Sequence, residues 1–124
     1  MNDMLKAVEE FHAVYDPGDL DEPGIPDPKI TMFRFDLINE ELHEYDAAVQ
    51  KGDKVEVLDS LCDLAYVVMG TVLAHGMGDV FDQAFAEVHR SNMAKFPGGV
   101  VTREPNGKIV KPDSWSPPNL EQFV

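Results

Sequence analysis

Acidic residues at helical spacing are the part of this sequence that could do chemistry. Glu40, Glu41 and Glu44 fall in one stretch. Glu41 and Glu44 stand i, i+3 on a stripe shared with Arg34, Leu37 and Ala48. Glu56, Asp59 and Asp63 follow, and on a helix they lie within an arc of about 60°, with Tyr66 and Gly70 continuing the line. Asp63 sits among Leu61, Cys62, Leu64, Ala65, Val67 and Val68, so a helix here is expected to be buried on most sides. Taking an unpaired carboxylate out of water costs several kcal/mol even after relaxation. Such an acid needs a partner, a proton or a metal. Lys51 and Lys54 are the only bases nearby, too few to neutralise both clusters. Divalent cations would do so, and oxygen-only ligands with water suit Mg2+ or Mn2+. The plainer readings are that Glu56 completes a helix cap and that Glu40, Glu41 and Glu44 form a solvated face.

These acids need helices to carry them, and local punctuation marks where the helices run. Asp3 to Tyr15 reads as a first helix with Met4, Val8, Phe11 and Tyr15 on its apolar face. Asp16 to Pro28 is a loop with four prolines and two glycines. Asp27-Pro28 reads as an N-cap followed by the first helical position. A second helix from about Lys29 to Lys51 carries the stripe Ile38, Leu42, Tyr45 and Val49, and Gly52 stops it. Asp53 caps a third helix, with Glu56 placed as in a capping box, and Gly76 ends it after His75. Its second half is apolar nearly all round, which predicts a central helix or one in a subunit interface. A fourth helix from Asp79 to about Lys95 or Phe96 turns Phe81, Phe85 and Val88 inward, with Asn92 and Lys95 continuing that stripe. Val100 to Lys111 reads as a small hairpin turning at Asn106-Gly107, against which Pro105 weighs. The expected fold is all-α: a four-helix bundle with a proline-rich C-terminal extension. It forms a single domain over 1–124, with a helical core of about 3–96 and a tail of 97–124.

Composition narrows the classes of partner. The chain has 124 residues, 23 acids against 10 bases and a net charge of −13. Such a surface repels a phosphate backbone, so no nucleic-acid polymer is expected as partner. Five of the bases lie between His89 and Lys111, beside the single acid Glu104. The longest apolar run, Leu64 to Ala74, is 11 residues against about 20 for a bilayer span, so no membrane insertion is expected. The opening residues do not read as a signal peptide. One cysteine, Cys62, forms no intrachain disulfide and fits a reducing, cytoplasmic setting as a buried small apolar residue. The apolar circumference of the third helix predicts self-association, as a homodimer or a homotetramer. A non-enzymatic acidic module that mimics nucleic acid or docks on a basic partner is the competing reading.

Glu40-Glu41-Leu-His-Glu44 followed by Glu56-Val-Leu-Asp59 resembles the paired motif EExxE…ExxD of the all-alpha, MazG-like nucleoside triphosphate pyrophosphohydrolases. Relatives of these enzymes include dimeric dUTP pyrophosphatases and phosphoribosyl-ATP pyrophosphohydrolase. Glu10-Phe11-His12, Arg34, Leu64-Ala65-Tyr66 and the stretch from Glu87 to Lys95 resemble the wider frame, so the likeness spans roughly residues 4 to 96. Two features depart from it. The gap between Glu44 and Glu56 is 11 residues, slightly short. In many relatives the motif's Asp precedes a Leu-Leu-aromatic run; that position here is Asp63, whose i−3 neighbour is Ser60 rather than Glu. The third-helix ligands are thus Glu56 with Asp59, or Asp59 with Asp63.

The resemblance implies hydrolysis of a nucleoside triphosphate, with a lean toward deoxynucleotides, to the monophosphate and pyrophosphate. It implies Mg2+ or Mn2+, two or more per site, held by Glu41, Glu44, Glu56 and Asp59, with Asp63 kept beside them. The ions offset triphosphate charge and activate a water for in-line attack, and Glu40, with Glu41 beside it, is placed to take the water's proton. Arg34, Arg90, Asn92 and Lys95 are expected on phosphate oxygens. Phe11, Phe33, Tyr66 and Trp115 are the expected stacking partners of the base, with core packing as the plainer role of each.

Overall fold

A computed structural model describes all 124 residues and is all-α, with four helices and no strand. Its helices are α1 (Asp3–Tyr15), α2 (Pro28–Lys51), α3 (Lys54–Ala74) and α4 (Phe81–Met93). The chain divides into two compact units, Met1–Asp79 and Val80–Val124, each described by itself.

In the first unit the helix ends follow local chemistry. Asn2 caps α1 by accepting from Leu5 N. Asp27 accepts from Lys29 N and Pro28 takes the first turn of α2, where a missing N–H costs nothing. Gly52 closes α2 at φ 67°, a left-handed conformation that suits glycine. Asp53 then accepts from both Val55 N and Glu56 N to open α3. Two residues therefore separate α2 from α3, which makes them an antiparallel pair. Contacts along them agree: Arg34 meets Val67 and Thr71, and Lys51 meets Glu56.

The buried faces differ from the expected stripes. In α1 the inward residues are Leu5, Val8 and His12, while Met4, Phe11 and Tyr15 stay exposed. In α2 the buried residues are Arg34 and Ala48, and Leu42 and Val49 of the expected stripe face outward. Small Ala48 lets the helices approach, and polar Arg34 fills the contact face, so counting apolar residues alone rotates the helix wrongly. The expectation that α3 is buried on most sides fails in its first half. Val55 is 77% exposed and Leu58 65%, and Cys62 is exposed rather than buried. Its second half carries Met69, Gly70, Leu73 and Ala74 inside. The 11-residue run also understated this helix. All of α3, at 21 residues, is long and apolar enough to cross a membrane by length and composition, a test that core helices of soluble proteins also pass.

The proline-rich loop is stitched onto the end of α3. Leu20 N donates to Ala74 O at 3.2 Å, Gly24 N to His75 O at 3.0 Å, and His75 Nδ1 to Gly24 O at 2.9 Å. The first two use carbonyls that a helix end leaves unpaired. Gly76 makes the approach possible: a Cβ there would collide with the Glu22 carbonyl.

In the second unit α4 starts at Phe81, two residues later than expected, with no side-chain cap. Ser91 is its buried residue and Phe85 is exposed, so the inward face runs to one side of the expected stripe. Pro97–Gly99 forms a 3-10 turn. The expected hairpin is reduced to one antiparallel bridge, Arg103 with Ile109. Gly107 N donates to Glu104 O and Glu104 N to Lys108 O, with Gly107 at φ 85°. That is a three-residue hairpin loop in which Pro105 occupies a position that favours proline, so Pro105 supports the turn.

Candidate metal centre

Glu41 and Glu44 come from α2 and Asp63 from α3, where the antiparallel pairing sets them opposite one another. One carboxylate oxygen from each lies within 4.8 Å of the other two. Three like charges this close repel, and the partial burial of Glu41 and Asp63 thins the water that would screen them. Burial, hydrogen bonding with Glu44, and the charges of Glu44, Asp63 and Glu40 push Glu41 up from 4.5 to about 7. Burial, then the charges of Asp59 and Glu44, raise Asp63 as well. A hydrogen bond between two carboxyls requires that one carry a proton. Glu41 Oε2 is buried without a hydrogen-bond partner. A buried oxygen left in that state is costly, and a cation among the three carboxylates would satisfy it. The set is all oxygen, which suits Mg2+ or Mn2+.

Other acids of the sequence motif lie to one side of this group. Glu56 Oε2 accepts from Lys51 Nζ at 3.3 Å, and no bond from its carboxylate returns to Asp53, so the capping box is formed only from the Asp53 side. Glu56, Asp59, Ser60, Lys51 and Glu44 line a cleft of about 250 Å³. Asp59 is close enough to Asp63 to raise its pKa. Ser60 is buried and donates to the Glu56 carbonyl, so the position one turn before Asp63 is neutral. Glu40 is exposed beside Glu41.

Arg34 lies on the same face of α2, two turns before Glu41. It is 4% exposed, and its guanidinium donates to Thr71 Oγ1 at 3.1 Å and Val67 O at 2.9 Å. Gly70 makes room for it, since a Cβ there would collide with Arg34 Nη2 and come within 3.1 Å of His12 Nε2. His12 is itself buried, with Nδ1 2.6 Å from Asp19 Oδ2. This His12–Asp19 pair carried no sequence signal, because Asp19 belongs to a loop without periodicity.

The aromatic candidates are dispersed. Phe11 and Tyr66 meet edge to face at 5.6 Å, with Tyr15 against Phe11 at 5.1 Å. Phe33 lines a separate pocket of about 610 Å³ with Asp19, Ile30, Arg34 and Ala74. In the second unit Trp115 Nε1 donates to Ser91 O at 2.8 Å, and its ring is flanked by the ammonium groups of Lys95 and Lys111. Arg90 pairs with Glu87, and Lys95 Nζ donates to Asn92 Oδ1 at 3.0 Å.

Carboxylates converging from two antiparallel helices are the arrangement from which helical proteins can build cation sites. The family model of phosphoribosyl-ATP pyrophosphohydrolase matches residues 8–92. The chain belongs to this family, and its activity in general terms is that of a nucleotide pyrophosphohydrolase. Among curated proteins no match was found.

Proposed function

We propose that the protein hydrolyses a nucleoside triphosphate, with preference for a deoxynucleotide, to the monophosphate and pyrophosphate, using Mg2+ or Mn2+. The observation that carries this reading is the grouping of Glu41, Glu44 and Asp63 with the unpartnered, buried Glu41 Oε2. These three side chains hold the cation, and Asp59, whose charge bears on Asp63, holds a second ion or its waters. When bound, the cation offsets triphosphate charge and acidifies water. In the reaction a water oxygen forms a bond to the α-phosphorus and the bond to the α–β bridging oxygen breaks, so pyrophosphate leaves. Glu40, exposed next to Glu41, accepts the proton released by the water. The preference for a deoxynucleotide rests on the sequence resemblance.

Self-association belongs to the same reading. Val55, Leu58 and Leu61 stay exposed along one side of α3, which suits a homodimer or homotetramer. Sedimentation should give a mass of at least two chains.

The test is a panel of eight nucleoside triphosphates and phosphoribosyl-ATP, each with Mg2+ and with Mn2+, with products separated. Monophosphate and pyrophosphate from a deoxynucleotide, only with the divalent ion, is the expected result. Nucleoside diphosphate and phosphate, or turnover in EDTA, would overturn it.

A further inference from the structure

A cavity of about 610 Å³ lies where the start of α2, the loop before it and the end of α3 meet. That volume is in the range of small-molecule sites. None of the acids of the metal centre lines it. Phe33 stands eight residues before Glu41, and Ala74 eleven after Asp63. At 1.5 Å per residue those are separations of about 12 Å along α2 and about 16 Å along α3. Ile30 and Phe33 are among the apolar walls, and the charged lining is Asp19 and Asp36 with Lys29 and Arg34. Two acids and two bases leave this cavity without net charge, in a chain whose net charge is −13.

Two opposite charges at this cavity do not meet. Arg34 is 4% exposed, both of its acceptors, Thr71 Oγ1 and Val67 O, are neutral, and no acid pairs with it. Its Nη1 is outside both bonds. A buried guanidinium without a counter-charge is costly, and a carboxylate is an anion whose two oxygens match its fork. Asp19 gives one oxygen to His12 Nδ1 at 2.6 Å, and its other oxygen, Oδ1, is buried with no partner. A point beside Gly70 is close to both His12 Nε2 and Arg34 Nη2. The imidazole therefore stands between the two charges, with the carboxylate at one edge and the guanidinium toward the other. An ammonium group would supply the donor that Asp19 lacks, and a carboxylate the acceptor that Arg34 lacks. Two acids in the lining repel a polyphosphate, whereas a ligand of zero net charge with separated poles fits them. Phe33 is 50% exposed and offers its ring to an apolar body.

We infer that this cavity binds an apolar α-amino acid, with its carboxylate on Arg34, its ammonium on Asp19 and its side chain against Phe33. Arg34 and Phe33 then serve this ligand rather than the phosphate and the base for which the sequence suggested them. The site stands on the first unit's own geometry, and neither the metal centre nor a nucleotide takes part in it.

The full chain is titrated by calorimetry in EDTA at fixed ionic strength with L-phenylalanine, L-leucine and L-tryptophan. Parallel arms use 3-phenylpropionate, which lacks the ammonium, phenethylamine, which lacks the carboxylate, and the nucleosides deoxyadenosine and thymidine. Saturable binding of phenylalanine is expected, with 3-phenylpropionate and phenethylamine each at least about tenfold weaker for want of one charge-assisted hydrogen bond. Asp19→Asn should weaken phenylalanine at least about tenfold while 3-phenylpropionate binds as before. Arg34→Lys should do the converse, weakening both carboxylates and leaving phenethylamine unchanged. Circular dichroism checks that each variant is folded. Should Arg34→Lys fail to fold, Phe33→Ala, at a half-exposed position, should still lower the affinity for phenylalanine about threefold or more. No saturable binding of any of the three amino acids overturns the inference, as does 3-phenylpropionate binding as tightly as phenylalanine. Unchanged affinity for phenylalanine in Asp19→Asn or in Phe33→Ala also overturns it. Nucleosides that bind more tightly than phenylalanine and displace it would make the cavity a base pocket and overturn it too. The titration reads no turnover and includes no divalent ion. Its failure leaves the proposed hydrolysis intact, and failure of the hydrolysis panel leaves this result standing.

Discussion

Two polar groups are inserted between α2 and α3, two turns apart on the same face of α2, and they are treated oppositely. Arg34 is buried with its guanidinium bonded to Thr71 Oγ1 and Val67 O. Gly70 opens the space it needs. Glu41 is surrounded by Glu44, Asp63 and Glu40, and one of its oxygens has no partner. The same interface supplies donors and acceptors to one group and like charges to the other. A satisfied buried polar group stabilises a packing arrangement, whereas an unsatisfied one is a cost retained for chemistry. Arg34 bonds the two helices together, and Glu41 is where like charges are left facing one another.

The comparison can be broken most decisively at the acidic end. Glu41→Gln should lower hydrolysis at least about 100-fold, since even substitutions of residues that only support a metal's ligands cost 10–100-fold. The same change removes a repelled charge, so the metal-free variant should melt no lower than the wild type. Loss of activity together with a large fall in Tm would make Glu41 structural, like Arg34. Next in size is the response to cation. Mn2+ at a hundred times its Kd should stabilise the protein by about 2.7 kcal/mol, and Glu44→Gln with Asp63→Asn should abolish the gain in urea melts. A gain of the same size from NaCl would point to diffuse surface charge instead.

At the other end, Gly70→Ala places a methyl group against Arg34 and His12. It should cost about 2 kcal/mol, within the usual range for overpacking, while the Kd for Mn2+ changes little. A further effect is expected on pH. Glu41 is held at about 7 when folded, against 4.5. Between those values the folded state binds more protons than the unfolded one, so stability of the metal-free protein falls as pH rises through that window. Raised Asp63 adds in the same direction. Bound Mn2+ should flatten or reverse the slope, because it favours the ionised carboxylates. Urea midpoints at pH 5 and pH 7.5, with and without Mn2+, check the sign.

Helix ends were legible in the sequence because their chemistry is local. Asp27-Pro28, Gly52 and Asp53 mark boundaries within a residue or two, and the structure uses each of them. Helix faces were less legible. The stripe Ile38, Leu42, Tyr45, Val49 omits Arg34, Glu41 and Ala48, because a rule that counts apolar residues cannot assign polar or small ones to a contact face. Asp63 was singled out by a burial that the structure shows only in part, yet it is the one acid on its helix grouped with Glu41 and Glu44. Glu56 shares that arc on an ideal helix, but Lys51 at the adjoining turn pairs with it. Ser60 stands where the motif has an acid, a departure visible in the sequence whose effect on the cleft needed coordinates. Lys111 had no motif to mark it, since it lies in an extension without periodicity, four residues before Trp115.

The stretch between α1 and α2 looks like a place where a polypeptide tolerates change. It is rich in proline and glycine, and such connections ordinarily accept extra residues, a circular permutation or a protease nick. Here its backbone closes the end of α3 through Leu20, Gly24 and His75. Lengthening or cutting it would therefore fray a helix whose middle carries Asp63, linking the loop's covalent integrity to a centre several turns away. Evolutionary drift and protein engineering alike should find this loop rigid in length, and Gly76 the residue that sets its clearance.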